Sequence, residues 1–289
     1  MSPSPAPAAR LPEPTRIELG ERATTAVYDS GFNVSTEAPP VVLLHGWWVN
    51  SYANFGSAYE ALAATRRVIM IDLRGHGNGA ATEGPFELDT CADDVARILD
   101  ELGIERATVV GYSLGGAVAQ LVAKRTPERV SGLVLAATTE LFCGHLAIRW
   151  QFKGLALSAA ALKRVPQTIR KPLFHSIASV FCVRYPKWVR PEVLRCDPVA
   201  VLEAGAALGS FNSSDWIGEL PMPVAVIVTA RDRVIPADSQ YRLAHDADAV
   251  TTIQIDADHD IPVRGDERFT DALIEAIRAV EPARIPSLG

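Results

Sequence analysis

Short apolar runs alternate with longer amphipathic stretches along most of this 289-residue chain, and this alternation predicts an α/β fold. Residues 41–44 and 68–71 are continuous apolar runs, which are typical of strands buried on both faces of a mostly parallel sheet. The remaining strand-like runs have similar lengths and are separated by helix-like segments. We predict strands at residues 16–19, 24–29, 41–44, 68–71, 107–110, 132–136, 224–228 and 252–255.

Two helices are marked by apolar residues at helical spacing. In the first, the apolar residues of 95–102 form one stripe; Asp89 or Thr90 can cap its start, and Gly103 can end it. In the second, the apolar residues of 269–277 form a similar stripe near the C-terminus. We expect such helices to cover both faces of the sheet.

The alternation stops between residues 139 and 215, where no clear strand pattern is present. The charge changes there too. Residues 141–195 contain ten Lys or Arg and one acid, Glu192, for a net charge of +9, whereas the rest of the chain carries −15. We predict a helical insertion at 139–215 between two parts of one core, 16–138 and 216–289. Residues 1–15, rich in Pro and Ala, are predicted to be a disordered tail.

Bulk composition narrows the class of protein. A net charge of −6 gives no general case for nucleic-acid binding. The four cysteines are widely spaced with no Cys-x-x-Cys pair, so we expect neither a metal site nor a disulfide framework. The chain has no run of 18 apolar residues, and its start lacks the pattern of a secretory signal. We therefore expect a cytoplasmic protein; the oligomeric state stays open.

The segment Gly111-Tyr112-Ser113-Leu114-Gly115 lies between a predicted strand and a helix-like run. A serine between glycines at this spacing can occupy a sharp strand-to-helix turn that exposes its hydroxyl. The helix start behind it supplies free N–H groups that can stabilise an oxyanion. The strand before and the helix after favour a nucleophile over a simple Gly/Ser turn.

A serine nucleophile needs an imidazole base. His259 follows the last predicted strand, and loops that follow parallel strands emerge at the edge of the sheet that carries Ser113. We therefore predict His259 as the base. The other five histidines fit poorer positions: His45 and His76 lie beside glycines in tight loops, His245 lies on a predicted surface helix, and His145 and His175 lie in the insertion.

The base in turn needs a carboxylate. Asp232 follows the strand at 224–228, again at the carboxyl edge, and is the predicted acid, with Glu140 as an alternative. Asp258, beside His259 in sequence, is too near to reach the ring. It can still raise the pKa of that histidine together with Asp260, unless solvent or partners compensate. Replacing either acid with asparagine is therefore predicted to move the acidic limb of the pH–rate profile downward.

Two backbone N–H groups are predicted to form an oxyanion hole. One belongs to Leu114, just after the nucleophile. The other belongs to Trp47, in the loop His45-Gly46-Trp47-Trp48 after the strand at 41–44, where Gly46 permits unusual backbone conformations. Trp48 and Tyr112 are candidates for the substrate pocket, although a tryptophan in this loop fits a core position equally well.

Taken together, the order Ser113, Asp232, His259, the His45-Gly46 loop and the segment Asp72-Leu73-Arg74-Gly75-His76-Gly77 resemble the α/β-hydrolase superfamily, over about residues 16 to 280. The resemblance implies an α/β-hydrolase fold with a helical cap, or lid, and a serine esterase or lipase-like activity. It implies attack of the serine on a carbonyl, an acyl-enzyme, and no cofactor.

A serine nucleophile argues against dehalogenase and epoxide-hydrolase chemistry, which use a carboxylate in this fold. Hydrolysis of a carboxylic ester is the expected reaction. Lactonases, perhydrolases and acyltransferases share the same three residues, and some proteins of this fold are ligand-binding receptors without turnover. Residue types alone do not separate these alternatives.

The basic insertion also contains aromatic residues, among them Trp150, Phe174, Tyr185 and Trp188. Cations beside aromatics suit an anionic membrane surface or a negatively charged substrate. The simpler interpretation is an amphipathic cap whose aromatics pack on the core while its cations remain in water. Peripheral membrane contact and lipid-like acyl esters are therefore left open as hypotheses.

Overall fold

A single sheet of eight strands forms the centre of the molecule. The computed structural model describes residues 11–20, 23–31, 38–82, 84–143 and 146–281. The strands within these residues are β1 (Thr15–Glu18), β2 (Thr24–Asp29), β3 (Val41–Leu44), β4 (Val68–Ile71), β5 (Ala107–Tyr112), β6 (Val130–Ala136), β7 (Val224–Thr229) and β8 (Thr251–Ile255).

The strands are connected mainly by α-helices. These are α1 (Ser51–Ala63), α2 (Leu88–Glu101), α3 (Leu114–Arg125), α4 (Leu146–Lys163), α5 (Gln167–Phe181), α6 (Val189–Leu194), α7 (Pro198–Leu208), α8 (Ala237–Asp246) and α9 (Glu267–Ala279). None of the helices in the described part of the chain combines the length and apolar character needed to cross a bilayer.

The strand order is β1-β2-β4-β3-β5-β6-β7-β8. β1 and β2 pair antiparallel with their neighbours, and β3 to β8 are parallel to one another. The predicted mostly parallel sheet flanked by helices is confirmed. Each predicted strand is present with ends that differ by at most two residues, because the apolar pattern identifies buried positions better than the last ladder hydrogen bond.

Helices cover the two faces of the sheet because successive strand residues point to opposite sides. Val42 and Leu44 of β3 join the core on the side of α2, α3 and α8. Val41 and Leu43 join the core on the side of α1 and α9. All four side chains are fully buried, which explains why the strand is apolar throughout.

The start of α2 differs from the prediction. The helix begins at Leu88 with Glu87 at the N-cap position, and no side-chain cap bond is formed. The Thr90 hydroxyl donates to the Glu87 carboxylate (3.3 Å) instead of to the backbone. Gly103 lies beyond the other end of the helix with φ of +61°, as its predicted role as a terminator requires.

The helices α4 to α7 connect β6 to β7, in the segment predicted to be a helical insertion. The two ends of this segment meet: an antiparallel bridge joins Leu141 to Asn212, and the Ser213 N–H donates to the Glu140 carbonyl (2.9 Å). The single acid of the basic stretch, Glu192, accepts from the Asn50 side chain (2.7 Å) in the core. We refer to this helical segment below as the cap.

Some predictions fall outside the described residues, namely those for 1–10, 282–289 and His145. Within the predicted tail, Thr15 is already the first residue of β1, and Leu11 packs against the core. The four cysteines are all buried and free, as is typical of small residues in a core. Burial raises the pKa of Cys91 and of Cys196 to about 12, so neither is a reactive thiolate at neutral pH.

Candidate active site

Ser113 occupies a strained turn between β5 and α3. Its backbone has φ of +54° and ψ of −114°, a region that costs a non-glycine residue about 1–3 kcal/mol. The turn brings chain segments so close that a Cβ on Gly115 would lie 2.0 Å from the Leu44 carbonyl oxygen, and one on Gly111 would lie 2.3 Å from the Gly115 oxygen. The glycines on either side of the serine are therefore steric requirements of this turn.

The structure brings Ser113, His259 and Asp232 together, although they are separated by up to 146 residues. His259 Nε2 lies 3.0 Å from Ser113 Oγ, and His259 Nδ1 lies 2.7 Å from Asp232 Oδ2. The Asp232 side chain is fully buried, and the His259 side chain is 18% exposed. The carboxylate can hold the ring with Nδ1 protonated, which leaves Nε2 free to accept the serine proton.

Four further donors hold the Asp232 carboxylate. The backbone N–H groups of Val234 and Ile235 each donate to Oδ1 (2.8 Å). The Thr229 hydroxyl (2.7 Å) and the Gln240 amide (3.2 Å) donate to Oδ2, the oxygen that also contacts the histidine. These four donors fix the orientation of the carboxylate that contacts the histidine.

Gln240 was not identified from the sequence. It is fully buried on α8, where it also accepts from the Thr229 N–H (3.0 Å) and donates to the Ile235 carbonyl (2.7 Å). The sequence gives only a weak signal for Gln240, a single amide on the buried side of a predicted helix. Its position becomes informative only once Asp232 is known to lie opposite this amide.

Tyr112 supports the base instead of lining a substrate pocket, which corrects the prediction for this residue. Its side chain is 2% exposed, and its hydroxyl donates to the His259 carbonyl. The tyrosine ring packs against the His259 ring (5.5 Å between centroids) and against Phe269 (5.6 Å). Alternation along β5 explains this position. Adjacent residues of a strand point to opposite faces of the sheet, so the side chain of Tyr112 and that of the following Ser113 face different ways.

The carboxylates on either side of His259 each have an arginine partner. Asp258 pairs with Arg233 and also accepts from the His259 N–H (2.8 Å), and Asp260 pairs with Arg264. Partial burial raises the pKa of Asp258, but hydrogen bonds from Arg233 and from the His259 N–H outweigh burial and hold the pKa below its usual value. The arginines thus partly compensate the negative charges of Asp258 and Asp260. The predicted shift of the pH–rate profile on replacing either acid is smaller for such paired carboxylates than for free ones.

The loop after β3 runs beside the nucleophile. A Cβ on Gly46 would lie 3.3 Å from Ser113 Cβ and 3.2 Å from Tyr112 Cδ1, so a larger residue would crowd both side chains. The sequence argument for Gly46 rested on its conformational freedom, but the left-handed residue of this loop is Trp48, with φ of +70°. Close approach is what requires glycine at position 46.

His45 fixes the orientation of this loop. Its Nε2 accepts from the Leu73 N–H (2.9 Å), so the ring proton is on Nδ1 and donates to the Gly46 carbonyl (2.7 Å). Because the peptide is planar and trans, the Trp47 N–H points away from His45. Burial lowers the pKa of His45 to about 4, which keeps the ring neutral and this hydrogen-bond pattern intact at neutral pH.

The two N–H groups predicted for the oxyanion hole have no acceptor within the described chain. Leu114 is the first residue of α3, so its N–H has no partner in the helix, and the Trp47 N–H donates to no described residue. The two groups lie on the segments that contact Ser113 from either side. Their use by a reaction intermediate stays a prediction.

The two tryptophans of this loop have different surroundings. Trp47 Nε1 donates to the Val201 carbonyl (2.7 Å), which anchors the loop to α7. Trp48 stacks on Phe174 of α5, with 5.8 Å between ring centroids. Trp48 also lines a cavity of about 100 Å³ between the loop and the cap helices α4, α5 and α7. The side chain of Trp48 therefore lines the cavity, whereas the side chain of Trp47 fastens the loop to α7.

The alternative residues lie away from this constellation. Glu140 is buried beside Thr139 and Arg242, and the acid that contacts His259 is Asp232. His76 is fully buried next to the ring of His45 (5.4 Å). His245 and His175 are exposed.

Comparison with known proteins places these features in a family. The family model for the alpha/beta hydrolase fold matches residues 39–262. A dihydrolipoyllysine-residue acetyltransferase component of an acetoin-cleaving system from Pseudomonas putida is 30% identical over 274 residues, which cover 93% of this chain and 70% of that protein. A pimeloyl-(acyl-carrier protein) methyl ester esterase from Nitrosomonas europaea is 32% identical over 206 residues, 69% of this chain and 79% of the relative.

Solved structures share the architecture. A thermophilic esterase from Thermogutta terrifontis is similar with a TM-score of 0.73 and 25% identity, over 95% of this chain and all of that one. The residues that the family model matches, 39–262, include strands β3 to β8 and all three residues of the Ser113, Asp232 and His259 constellation. The chain belongs to the α/β-hydrolase family.

Proposed function

We propose that the protein is a serine hydrolase that cleaves carboxylic esters through an acyl-enzyme. One observation carries this proposal: the continuous hydrogen-bonded arrangement of Ser113 Oγ, His259 Nε2 and Nδ1, and Asp232 Oδ2, at 3.0 and 2.7 Å. Family membership and esterase relatives support it.

The reaction follows from the proton positions. Ser113 Oγ attacks the ester carbonyl as His259 Nε2 takes the hydroxyl proton, and the new C–O bond gives a tetrahedral oxyanion. The N–H groups of Trp47 and Leu114 stabilise that oxyanion, each for roughly 3–4 kcal/mol of the barrier. His259 then protonates the leaving alcohol, and Asp232 balances the imidazolium charge. A water molecule, activated by the same ring, hydrolyses the acyl-enzyme.

A fluorophosphonate probe with a reporter group tests the nucleophile. We expect labelling of the wild type, no labelling of Ser113→Ala, and unchanged labelling of Ser210→Ala, which removes an exposed serine in the cap. Labelling that persists in Ser113→Ala would refute the proposal. Absence of labelling in the wild type would favour the alternative of a ligand-binding receptor.

Acyl transfer is the second candidate reaction, and the acetyltransferase-component relative is the observation that favours it. Transfer and hydrolysis share every step up to the acyl-enzyme, and only the acceptor differs. Product analysis with an added alcohol separates them: an ester product that grows with alcohol at constant total turnover indicates transfer, and free acid alone indicates hydrolysis. The same assay with lactones and with peroxide covers lactonase and perhydrolase activity.

We further propose that the cap contacts an anionic lipid surface and that the substrates include lipid-like esters. Exposed apolar residues at helical spacing on α5 support this: Ile169 and Val180 are 58 and 73% exposed, and Leu173 and Ile177, which also line the cavity beside Trp48, are 49 and 44% exposed. The core-facing side of α5 is provided by other residues, Phe174 and Ala178.

The same segment carries exposed cations, among them Arg164, Lys171 and Lys187, and no acid is present between positions 141 and 191. Exposed apolar side chains and cations in one segment match the chemistry of an anionic membrane interface.

Vesicle flotation tests the membrane contact. We expect binding to vesicles that contain phosphatidylglycerol, weaker binding to phosphatidylcholine alone, and loss of binding at high salt. The double variant Ile169→Gln/Val180→Gln should lose binding, whereas Val250→Gln, a 57% exposed valine outside the cap, should not. Equal and negligible binding of the wild type to both vesicles would refute the contact and leave the esterase proposal intact.

We also propose a cytoplasmic location, which the four buried free cysteines support, since disulfides are rare in that reducing compartment.

A further inference from the structure

The cavity beneath Trp48 has one charged residue in an apolar wall. Leu162, Phe174 and Val201 are among its lining residues, and of the described residues that line it Arg170 of α5 is the only charged one. Its volume of about 100 Å³ is roughly the space of three to four water molecules, or of a short alkyl chain.

Arg170 has no partner for its charge within the described chain. Its Nε is buried without a hydrogen-bond partner, and its guanidinium takes part in none of the ion pairs formed by described residues. The neighbouring Lys163, by contrast, pairs with Glu203. Partial burial of an uncompensated guanidinium is unfavourable, so an anion that enters this cavity would gain both charge pairing and a hydrogen bond.

The loop after β3 contacts both the cavity and the nucleophile. Trp48 forms part of the cavity wall, Trp47 is hydrogen-bonded to the cavity residue Val201, and Gly46 lies beside Ser113. We take this loop as the route along which a substrate with its ester carbonyl at Ser113 extends its chain into the cavity. The apolar wall suits methylene groups, and the planar guanidinium suits a carboxylate at their end.

We propose that the cavity binds the end of the substrate remote from the scissile ester, and that Arg170 pairs there with a carboxylate. Among esters with short acyl chains, the preferred substrates are then those with a terminal carboxylate, that is, half esters of dicarboxylic acids; this preference is separate from the proposed cleavage of lipid-like esters. This inference rests on the proposed esterase function and adds a substrate class to it.

The test compares monomethyl hexanedioate with methyl hexanoate, which differ at the remote end of the acyl chain. We expect the wild type to have the higher kcat/KM for the half ester. Arg170→Gln should reduce the ratio of the two kcat/KM values by about tenfold or more, since a hydrogen bond to a charged group is removed. Arg170→Lys should retain part of the preference, because it keeps the charge and loses the planar fork.

Lys171→Gln is the matched control, because it removes an adjacent exposed cation that does not line the cavity. Two results would overturn the proposal while ester cleavage itself stands. One is a wild-type kcat/KM that is the same for the half ester and for methyl hexanoate. The other is a ratio of the two kcat/KM values that falls equally in Arg170→Gln and Lys171→Gln.

Calorimetric titration of the non-reacting Ser113→Ala variant with monomethyl hexanedioate gives a readout that needs no turnover. Binding should weaken about tenfold or more when Arg170→Gln is added. Unchanged binding would overturn the subsite even if the protein cleaves no ester.

Discussion

The hydroxyl of Tyr112 donates to the backbone carbonyl of His259, so the residue just before the nucleophile holds the loop that carries the base. This contact joins the ends of β5 and β8 across 147 positions of sequence. Ser113 and His259 therefore keep their spacing through a neighbouring backbone contact as well as through their own hydrogen bond.

Tyr112→Phe should retain the ring packing and lose only this hydrogen bond. We expect about 0.5–1.5 kcal/mol less stability and a kcat/KM that is about three- to tenfold lower, since the loop loses one constraint. Thermal unfolding and steady-state kinetics measure the two effects. Tyr241→Phe, which removes a half-exposed hydroxyl bonded to Gln254, is the control and should change neither. Unchanged activity in Tyr112→Phe would show that Asp232 alone positions the histidine.

Gln240→Leu should affect both stability and catalysis. The substitution leaves the buried Thr229 N–H without its acceptor, which costs about 1–3 kcal/mol. It also removes a donor from Asp232 Oδ2, and we expect kcat/KM to fall about tenfold because the carboxylate loses one of its fixed contacts. Gln254→Leu, at an exposed position, should behave as the wild type in both assays. A loss of stability with unchanged kcat/KM would limit Gln240 to a structural role.

The buried histidines should make the protein less stable in mild acid. Burial, together with the neighbouring ring of His45, lowers the pKa of His76 to about 3, against 6.5 for an ordinary histidine. Between these values the unfolded chain binds more protons than the folded one, so this contribution to stability is present above pH 6.5 and is lost as the pH falls.

His76→Gln isolates this contribution. We expect the variant to lose about 2 kcal/mol less than the wild type on going from pH 7 to pH 5. Urea unfolding at the two pH values measures the difference. His245→Gln, which replaces an exposed histidine, should follow the wild type. Parallel losses in all three proteins would mean that His76 titrates alike in the folded and unfolded chains.

Neutralising Asp258 should move the acidic limb of the pH–rate profile downward, because a negative charge beside the base is removed. The pairing of Asp258 with Arg233 makes the shift smaller than for a free carboxylate. The double variant Asp258→Asn/Arg233→Gln removes the pair and should restore most of the wild-type limb. The kcat/KM of all three proteins between pH 4 and pH 8 measures this. An upward shift in Asp258→Asn would contradict the electrostatic argument.

The strands of the sheet could be predicted because the apolar residues within each strand already indicate that it is buried. β3 and β4 are apolar at every position, and the glycines around Ser113 report a local steric demand. Asp232 and His259 were found because loops after parallel strands share one edge of the sheet, a rule that needs topology and no side-chain detail.

The contacts that hold the base and its neighbouring acid in place could not be predicted. They join residues of different loops, and the hydrophobic pattern of the sequence does not show which loops meet. Tyr112 meets His259, and Asp258 meets Arg233, only when the loops after different strands take their final shapes. The different environments of Trp47 and Trp48 depend on how α5 and α7 pack, and the charge pattern of the cap contains no information on that packing.

Steady-state kinetics of Ser113→Ala, Asp232→Asn and their double variant on one ester test the central claim most directly. We predict that kcat/KM falls to background in Ser113→Ala and by about 10⁴-fold in Asp232→Asn. The double variant should be no slower than Ser113→Ala, because the residues act as one unit. A Ser113→Ala protein that keeps a tenth or more of the wild-type kcat/KM, or losses that multiply in the double variant, would contradict the account.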